Sequence, residues 1–316
     1  MGYAGVMSCA ESWEGIARVR VRVPAKINLA LCVGGLRLDG YHELATLFQA
    51  VSLYDEVTAI SSESGITCEV LGLDARRIGP PEDNLAYRAA RLLQQEYGIN
   101  QGVDLLIDKR IPVCGGMAGG SADAAASLMA CNHLWGLKLT MADMSVLGSR
   151  LGADVPFALM GGCAIGLGKG EVLTPALCRG TFHWVLALSQ QKLSTPDVYQ
   201  RFDRLNAGHD IPAPKIPPAL MMALASADVH RVGSLLVNDL SAASCSMLPE
   251  LRDTIAAGRS IGALGTVVSG SGPTVAFLAE SESAATDMAV ALSSQGVAFQ
   301  VRLASGPVPG ATIVND

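Results

Sequence analysis

The densest chemistry in the chain lies in Pro112-Val-Cys-Gly-Gly-Met-Ala-Gly-Gly-Ser121. Gly115, Gly116, Gly119 and Gly120 let backbone approach an anion closely and turn several N–H groups toward it. A helix that leaves such a turn adds its own unpaired N–H groups and the positive end of its dipole. A polyphosphate is the natural guest, with Pro112, Gly115, Gly116, Met117, Ala118, Gly119, Gly120 and Ser121 as its candidate cradle. The competing reading is a turn whose glycines only satisfy tight geometry. Four glycines and a serine between a strand and a helix favour the phosphate. Gly120 is followed by Ser121 and Ala122, so the Lys-Ser/Thr ending of a P-loop is missing. Residue 114 is Cys, which breaks the dinucleotide GxGxxG pattern, and no GxSxG elbow surrounds Ser121 or Ser271.

The elements around this turn follow from local pattern. Arg18 to Val23 alternates Arg and Val, which predicts a strand with one solvated face, ended by Pro24. Asn84 is a good N-cap for a helix running through Leu85, Ala89, Leu92 and Leu93 to Gly98. Residues 103–107 read as a strand leading into the glycine turn, and Ala122 to Leu134 as the helix leading out. A further helix is expected from Thr140 to Leu151, stopped by Gly152, and Pro156 marks the entry to another. Asn206 to Pro218 carries four prolines and reads as a loop, with helical pattern from Ala219 to Leu240. Ser269-Gly-Ser-Gly272 lies between two apolar stretches. Strands and helices mixed without regular βαβ alternation predict an α+β protein.

Composition bounds the rest. The 316 residues are half apolar, enough for two modest domains or one large one. A net charge of -6 makes a general nucleic-acid binder a poor reading, because phosphate backbones are held by Lys and Arg. The eight cysteines form no CxxC pair and no zinc spacing, which fits a reducing cytoplasmic compartment. Mean hydropathy is +0.34, yet no apolar run is long enough to span a bilayer. Residues 1–17 lack the features of a signal peptide and read as a disordered leader.

The glycine turn also resembles the second motif of the GHMP kinases. Four more segments carry the resemblance: Pro24-Ala-Lys-Ile-Asn-Leu29, Asp39-Gly-Tyr-His-Glu-Leu44, Gly152-Ala-Asp-Val-Pro-Phe157 and Ser269-Gly-Ser-Gly-Pro-Thr274. In this order they are similar to the members that act on a cytidine-diphosphate-linked sugar alcohol, over about residues 18 to 310. The resemblance implies a two-domain α+β fold, divided as 18–175 (ATP-binding) and 176–316, with the site in the cleft between them. It implies ATP and Mg2+ as cofactors, a small-molecule acceptor, and neither nucleic acid nor membrane as partner. Metal ligands and oligomeric state are not read from the motifs. The turn departs from the family's usual Gly-Leu-Gly-Gly-Gly-Ser-Ser at Ala118 and Ala122.

By motif position Lys26 and Asp154 are the expected catalytic pair. A carboxylate on an alcohol's proton helps the weak nucleophile, and a lysine offsets charge on the moving phosphoryl. Taken alone, Asp154 would read as a helix cap and Lys26 as a solvated strand end. Tyr41 and His42 resemble the cytidine subsite, where a base needs a flat partner and hydrogen bonds to its edge. A hairpin turn with a surface tyrosine is the alternative there. Tyr199, in the segment opened by Thr195, matches a second aromatic, and Asn28 a substrate hydrogen-bonder. Asn84 and Lys109 match positions on the adenine and ribose side, although a cap and a solvated lysine explain them nearly as well. Ser271 and Gly272 are expected to face the site from the second domain, or else to form a plain hairpin. Another GHMP enzyme, of the mevalonate or homoserine type, is the nearest rival, but those lack the Asp-Gly-Tyr-His segment. A non-catalytic relative is disfavoured by the presence of both Lys26 and Asp154.

Overall fold

The computed structural model describes residues 17–72, 80–113 and 115–314, so the expected leader falls, apart from Ala17, outside the described residues. The Arg-Val alternation becomes the start of β1 (Arg18–Leu36), where Val19, Val21 and Val23 are buried and Arg18 and Arg22 are exposed. It pairs antiparallel along its length with β2 (His42–Ser62). Pro24 does not end the strand. The register steps from Pro24 opposite Tyr54 to Ala25 opposite Val51, so the proline sits at an irregularity where a missing N–H is tolerated. The strand runs on through Lys26, which is therefore mid-strand and buried rather than at a solvated end.

β2 also pairs with β4 (Gly102–Lys109), which is flanked in parallel by β3 (Ile66–Gly72). The other half of β2 pairs with β5 (Cys163–Gly168), which turns back into β6 (Val172–Pro175). β8 (Val237–Asn238) and β12 (Thr312–Val314), from late in the chain, join β1 and complete this eight-stranded sheet. A second, four-stranded sheet has the order β11 (Gln300–Gly306), β7 (Phe182–Leu188), β10 (Val275–Ala279), β9 (Gly265–Val268). We propose the division at 175/176 with this amendment: β8 and β12 cross back into the first sheet.

The first sheet is covered by α1 (Leu85–Tyr97), α2 (Gly119–Leu134), α3 (Met141–Ser149) and α4 (Val155–Met160). Asn84 caps α1 by accepting from Ala86 N–H, and Gly98 ends it at φ 63. Thr140 and Asp143 close a capping box on α3, which stops at Ser149, short of the expected Leu151. α2 is apolar on nearly all sides because it is the central helix, packed on β1, β2, α1 and α4. Its alanines allow that close approach. The second part carries α5 (Thr195–Leu205), α6 (Pro218–Ser226), α7 (Val229–Leu235), α8 (Ser241–Met247), α9 (Glu250–Ser260) and α10 (Glu282–Gln295). The helical pattern expected over Ala219 to Leu240 is thus broken. Ala227 turns left-handed at φ 57, Asp228 starts a new helix by accepting from Arg231 N–H, and β8 replaces the end. No helix among the described residues is long and apolar enough to cross a membrane.

Candidate active site

The glycine turn delivers α2 with its N-terminus open. No side chain caps it, and the first intrahelical bond runs from Ala122 N–H to Ala118 O. The N–H groups of Gly119, Gly120 and Ser121 thus precede the ladder, at the positive end of a 16-residue helix. Ala118 is held at φ 58, a conformation that costs a non-glycine residue about 1–2 kcal/mol. Ala122 is buried at the start of the helix. Gly120 is exposed, and a Cβ there would make one ordinary contact, 3.6 Å from Leu85 Cδ1. Gly119 differs: a Cβ there would stand 2.9 Å from Lys109 Nζ and 3.1 Å from Ile111 Cγ2.

Lys26 reaches this turn from β1. Its backbone N–H donates to Met117 O at 3.2 Å. Its ammonium donates to Asn28 Oδ1 at 2.8 Å and stands 3.8 Å from Asp154 Oδ2. Asn28 in turn donates from Nδ2 to Thr46 Oγ1, which donates to Ala30 O, both at 2.8 Å. The chain of bonds fixes the direction of the lysine. Asp154 occupies the N-cap position of α4, but its side chain makes no capping bond and remains about a third exposed. The capping role is therefore not what positions it. Ser121 Oγ lies 3.6 Å from the place a Cβ would take on Gly152, which brings the turn next to the Asp154 segment.

His42 is buried at the start of β2, with Nδ1 2.8 Å from Gly34 O. Nε2 faces Asp203 Oδ1 at 3.2 Å without completing a hydrogen bond. Tyr199 stacks on the imidazole at 5.2 Å and Phe202 meets it edge-on at 5.8 Å. Burial, and then the Asp154 carboxylate, push the Tyr199 hydroxyl above its ordinary pKa. Tyr41 is exposed and lies under the Lys169 ammonium, 3.6 Å from its ring centre. Lys169 also pairs with Asp39 at 3.3 Å.

The loop between β9 and β10 closes over Lys26. A Cβ on Gly270, at φ +56, would stand 3.5 Å from Lys26 Nζ. Gly116, at φ +75, passes so close that a Cβ would lie 2.0 Å from Ser269 O, and Ser269 Oγ donates to Gly116 O at 2.9 Å. Thr195 Oγ1 and Ser271 Oγ share a 2.8 Å bond. Asn238 Nδ2 donates to both Val268 O and Gly270 O at 2.7 Å, and Ser244 Oγ to Ser271 O at 3.0 Å. A plain hairpin would not need this scaffolding from three other elements.

The family profile described as GHMP kinases N terminal domain matches residues 84–162, and GHMP kinases C terminal matches residues 220–298. A 4-diphosphocytidyl-2-C-methyl-D-erythritol kinase from Nocardia farcinica (strain IFM 10152) is 52% identical over 297 residues, covering 94% of this chain and 96% of the relative. The protein of that name from Mycobacterium tuberculosis (strain ATCC 25177 / H37Ra) is 49% identical over 306 residues, covering 97% and 96%. The chain belongs to the 4-diphosphocytidyl-2-C-methyl-D-erythritol kinase family. A crystal structure of 4-(cytidine 5'-diphospho)-2C-methyl-D-erythritol kinase matches with TM-score 0.74 and 35% identity over 90% of this chain and 98% of that one. Homoserine kinase from Cytophaga hutchinsonii ATCC 33406 matches with TM-score 0.72 at 21% identity, over 99% of this chain and 100% of that one, and shares the fold.

As a member of the 4-diphosphocytidyl-2-C-methyl-D-erythritol kinase family the chain is an ATP-dependent small-molecule kinase with the two-domain GHMP fold. Lys26, Asn28 and Asp154 come together under Gly270, Ser121 lies beside Gly152, and His42 joins Tyr199. Ser271 and Gly272 are the next residues of that loop, with Ser271 bonded to Thr195 and Gly272 set against Gly116, so Gly270 is the loop residue that meets the lysine. Tyr41 turns away to Lys169. Asn84 acts as the α1 cap, while the adjacent Leu85 touches the turn at Gly120. Lys109 is not a solvated lysine. It is 2% exposed, and its ammonium donates to Asp55 Oδ2 at 2.5 Å and Asp123 Oδ2 at 2.7 Å beneath the turn. Asp55 Oδ1 accepts from the N–H groups of Arg110 and Ile111, which fixes the chain entering the turn. Asp55, Asp123, Thr46, Asn238 and Ser244 escaped sequence reading. Only Asp123 carried a signal, as a charge among the small and apolar residues of its helix.

Proposed function

We propose that the chain transfers the γ-phosphoryl group of ATP to the 2-hydroxyl of 4-diphosphocytidyl-2-C-methyl-D-erythritol, a step of non-mevalonate isoprenoid precursor biosynthesis. The observation that carries this reading is the Lys26–Asp154 pair, 3.8 Å apart, beside the uncapped start of α2. The N–H groups of Gly119 to Ser121 receive phosphate oxygens. Asp154 holds the acceptor hydroxyl and takes its proton as the new bond forms, late in a largely dissociative transfer. Lys26, aimed by Asn28 and Thr46, offsets charge on the moving group. His42 and Tyr199 hold the cytosine, and the loop of Ser271 and Gly272, through Gly270, covers Lys26 and excludes water.

No three His, Cys, Asp or Glu side chains among the described residues form a metal cluster, which suits a Mg2+ ion carried mainly by phosphate oxygens. Ser121 and Asp154 would offer oxygens to such an ion, which would supply charge neutralisation when bound. An ATP-consumption assay tests the reading with 4-diphosphocytidyl-2-C-methyl-D-erythritol, galactose, mevalonate and homoserine as acceptors. Turnover confined to the cytidine compound is expected, and turnover with mevalonate or homoserine instead would overturn the assignment.

A further inference from the structure

Gln49 lies inside β2, fully buried, and its amide ties the two sheets together. Oε1 accepts from Trp184 Nε1 on β7 at 2.8 Å. Nε2 donates to two sulfurs, Cys163 Sγ at 3.4 Å and Cys178 Sγ at 3.6 Å. Cys163 opens β5, and Cys178 sits on the segment that carries the chain from β6 to β7. The hairpin brings them together: Ala164 is paired with Pro175, and Ala176 N–H donates to Cys163 O at 2.9 Å. One amide nitrogen thus holds both sulfurs on the same side of β2. We propose that Cys163 and Cys178 form a reversible dithiol–disulfide site that reacts with peroxides and, when oxidised, links β5 covalently to the crossover between the sheets.

The two sulfurs have different parts. A thiolate is the nucleophile in this chemistry, and exposure decides which one meets the oxidant. Cys178 is half-buried, and its thiol is held below the ordinary value by the hydrogen bond from Cys163, with that from Gln49 helping against burial. Cys163 is buried, and its thiol is pushed up by its bond to Cys178 and by burial. Cys178 thiolate therefore attacks one peroxide oxygen. The O–O bond breaks, water leaves after protonation, and Cys178 becomes a sulfenic acid. The Cys163 sulfur then attacks the Cys178 sulfur, the S–O bond breaks, and the departing hydroxide takes the Cys163 proton as a second water. Two thiols lose two electrons and hydrogen peroxide gains them. The other described cysteines are poorer targets. Burial pushes the Cys131 thiol up to about 12 and the Cys68 thiol up to about 11.

The test treats the reduced full-length chain with hydrogen peroxide, blocks remaining thiols with iodoacetamide and maps peptides with and without dithiothreitol. The expected product is a peptide pair linked through Cys163 and Cys178 that dithiothreitol dissolves. In Cys163→Ser the resolving sulfur is gone, so Cys178 should accumulate as a sulfenic acid that dimedone traps. In Cys178→Ser, Cys163 should stay reduced under the same dose. Recovery of both residues as alkylated thiols in wild type, while other cysteines oxidise, overturns the proposal. So does a Cys178 linked to any other cysteine. The wild-type map decides the question even where a variant does not fold.

Discussion

A lysine ammonium has three donors, and Lys26 commits one of them to Asn28. The other two are left for Asp154 and an incoming oxygen. Asp154 stands where a helix cap would stand, yet its side chain bonds to no helix N–H, so its carboxylate oxygens stay open to an acceptor hydroxyl. Asp154→Asn keeps the shape and removes the proton acceptor. Its kcat should fall by about 10²–10⁴-fold while acceptor Kd changes little. Single-turnover transfer beside a binding titration separates the two. Turnover within about threefold of wild type would remove Asp154 from the chemistry. Lys26→Ala should lower kcat and weaken ATP as well, because it removes charge from the phosphate side. The double variant should lose less than the product of the two, since both groups act on one developing charge.

Two neighbouring glycines at the start of α2 carry different loads at the scale of the element. A Cβ at Gly120 would meet only Leu85, at an ordinary contact distance of 3.6 Å, so Gly120→Val should keep the fold and lose affinity for an ATP analogue, read by calorimetry. Gly119→Val instead drives its Cβ against Lys109 Nζ and Ile111, and should lower the unfolding midpoint first. The ammonium under the turn is shared by two buried carboxylates, and Asp123 Oδ1 has no partner. Burial, and then Asp55, push the Asp123 carboxyl up from 3.8 to about 8 against the pull of Lys109. The native state then keeps a proton that the unfolded chain gives up over that window. The stability this group contributes is complete below pH 3.8 and drains away as pH rises to about 8. Asp123→Asn imitates the protonated form, so its urea midpoint should fall less over that range than that of wild type.

The cleft is a property of the whole molecule. His42 starts a strand of the first sheet, Tyr199 sits on α5 beyond it, and their stacking joins the two parts. Cytidine diphosphate should compete with the acceptor more strongly than uridine diphosphate, which reverses donor and acceptor at the pyrimidine edge. Unpaired buried groups cost about 1–3 kcal/mol, so the inhibition constants should differ by roughly five- to 150-fold. Equal inhibition would mean that His42 does not read the base. The loop over Lys26 depends likewise on a distant residue. Asn238→Ala leaves the carbonyls of Val268 and Gly270 without that donor. It should cost about 1–3 kcal/mol of stability, measured by denaturant titration.

Local physics made much of this chain legible before any coordinates. Alternation of Arg and Val determined the first strand, Asn84 and Gly98 bounded α1, and the glycines announced the open start of α2. These signals depend on neighbours a few residues apart, which a linear string displays. Burial and partnership do not. Pro24 read as a stop because its missing N–H is local, while the irregular register that accommodates it belongs to the partner strand. Lys109 read as a nucleotide-side or else a solvated lysine because its two carboxylates lie 54 and 14 residues away. Asn238 meets its carbonyls across about 30 residues, and Cys163 meets Cys178 only once β5 has turned into β6. Motif spacing nominated the side chains proposed to carry the chemistry. Tertiary structure decided which of them are dry, charged and in reach, because those depend on the segments that fold over them.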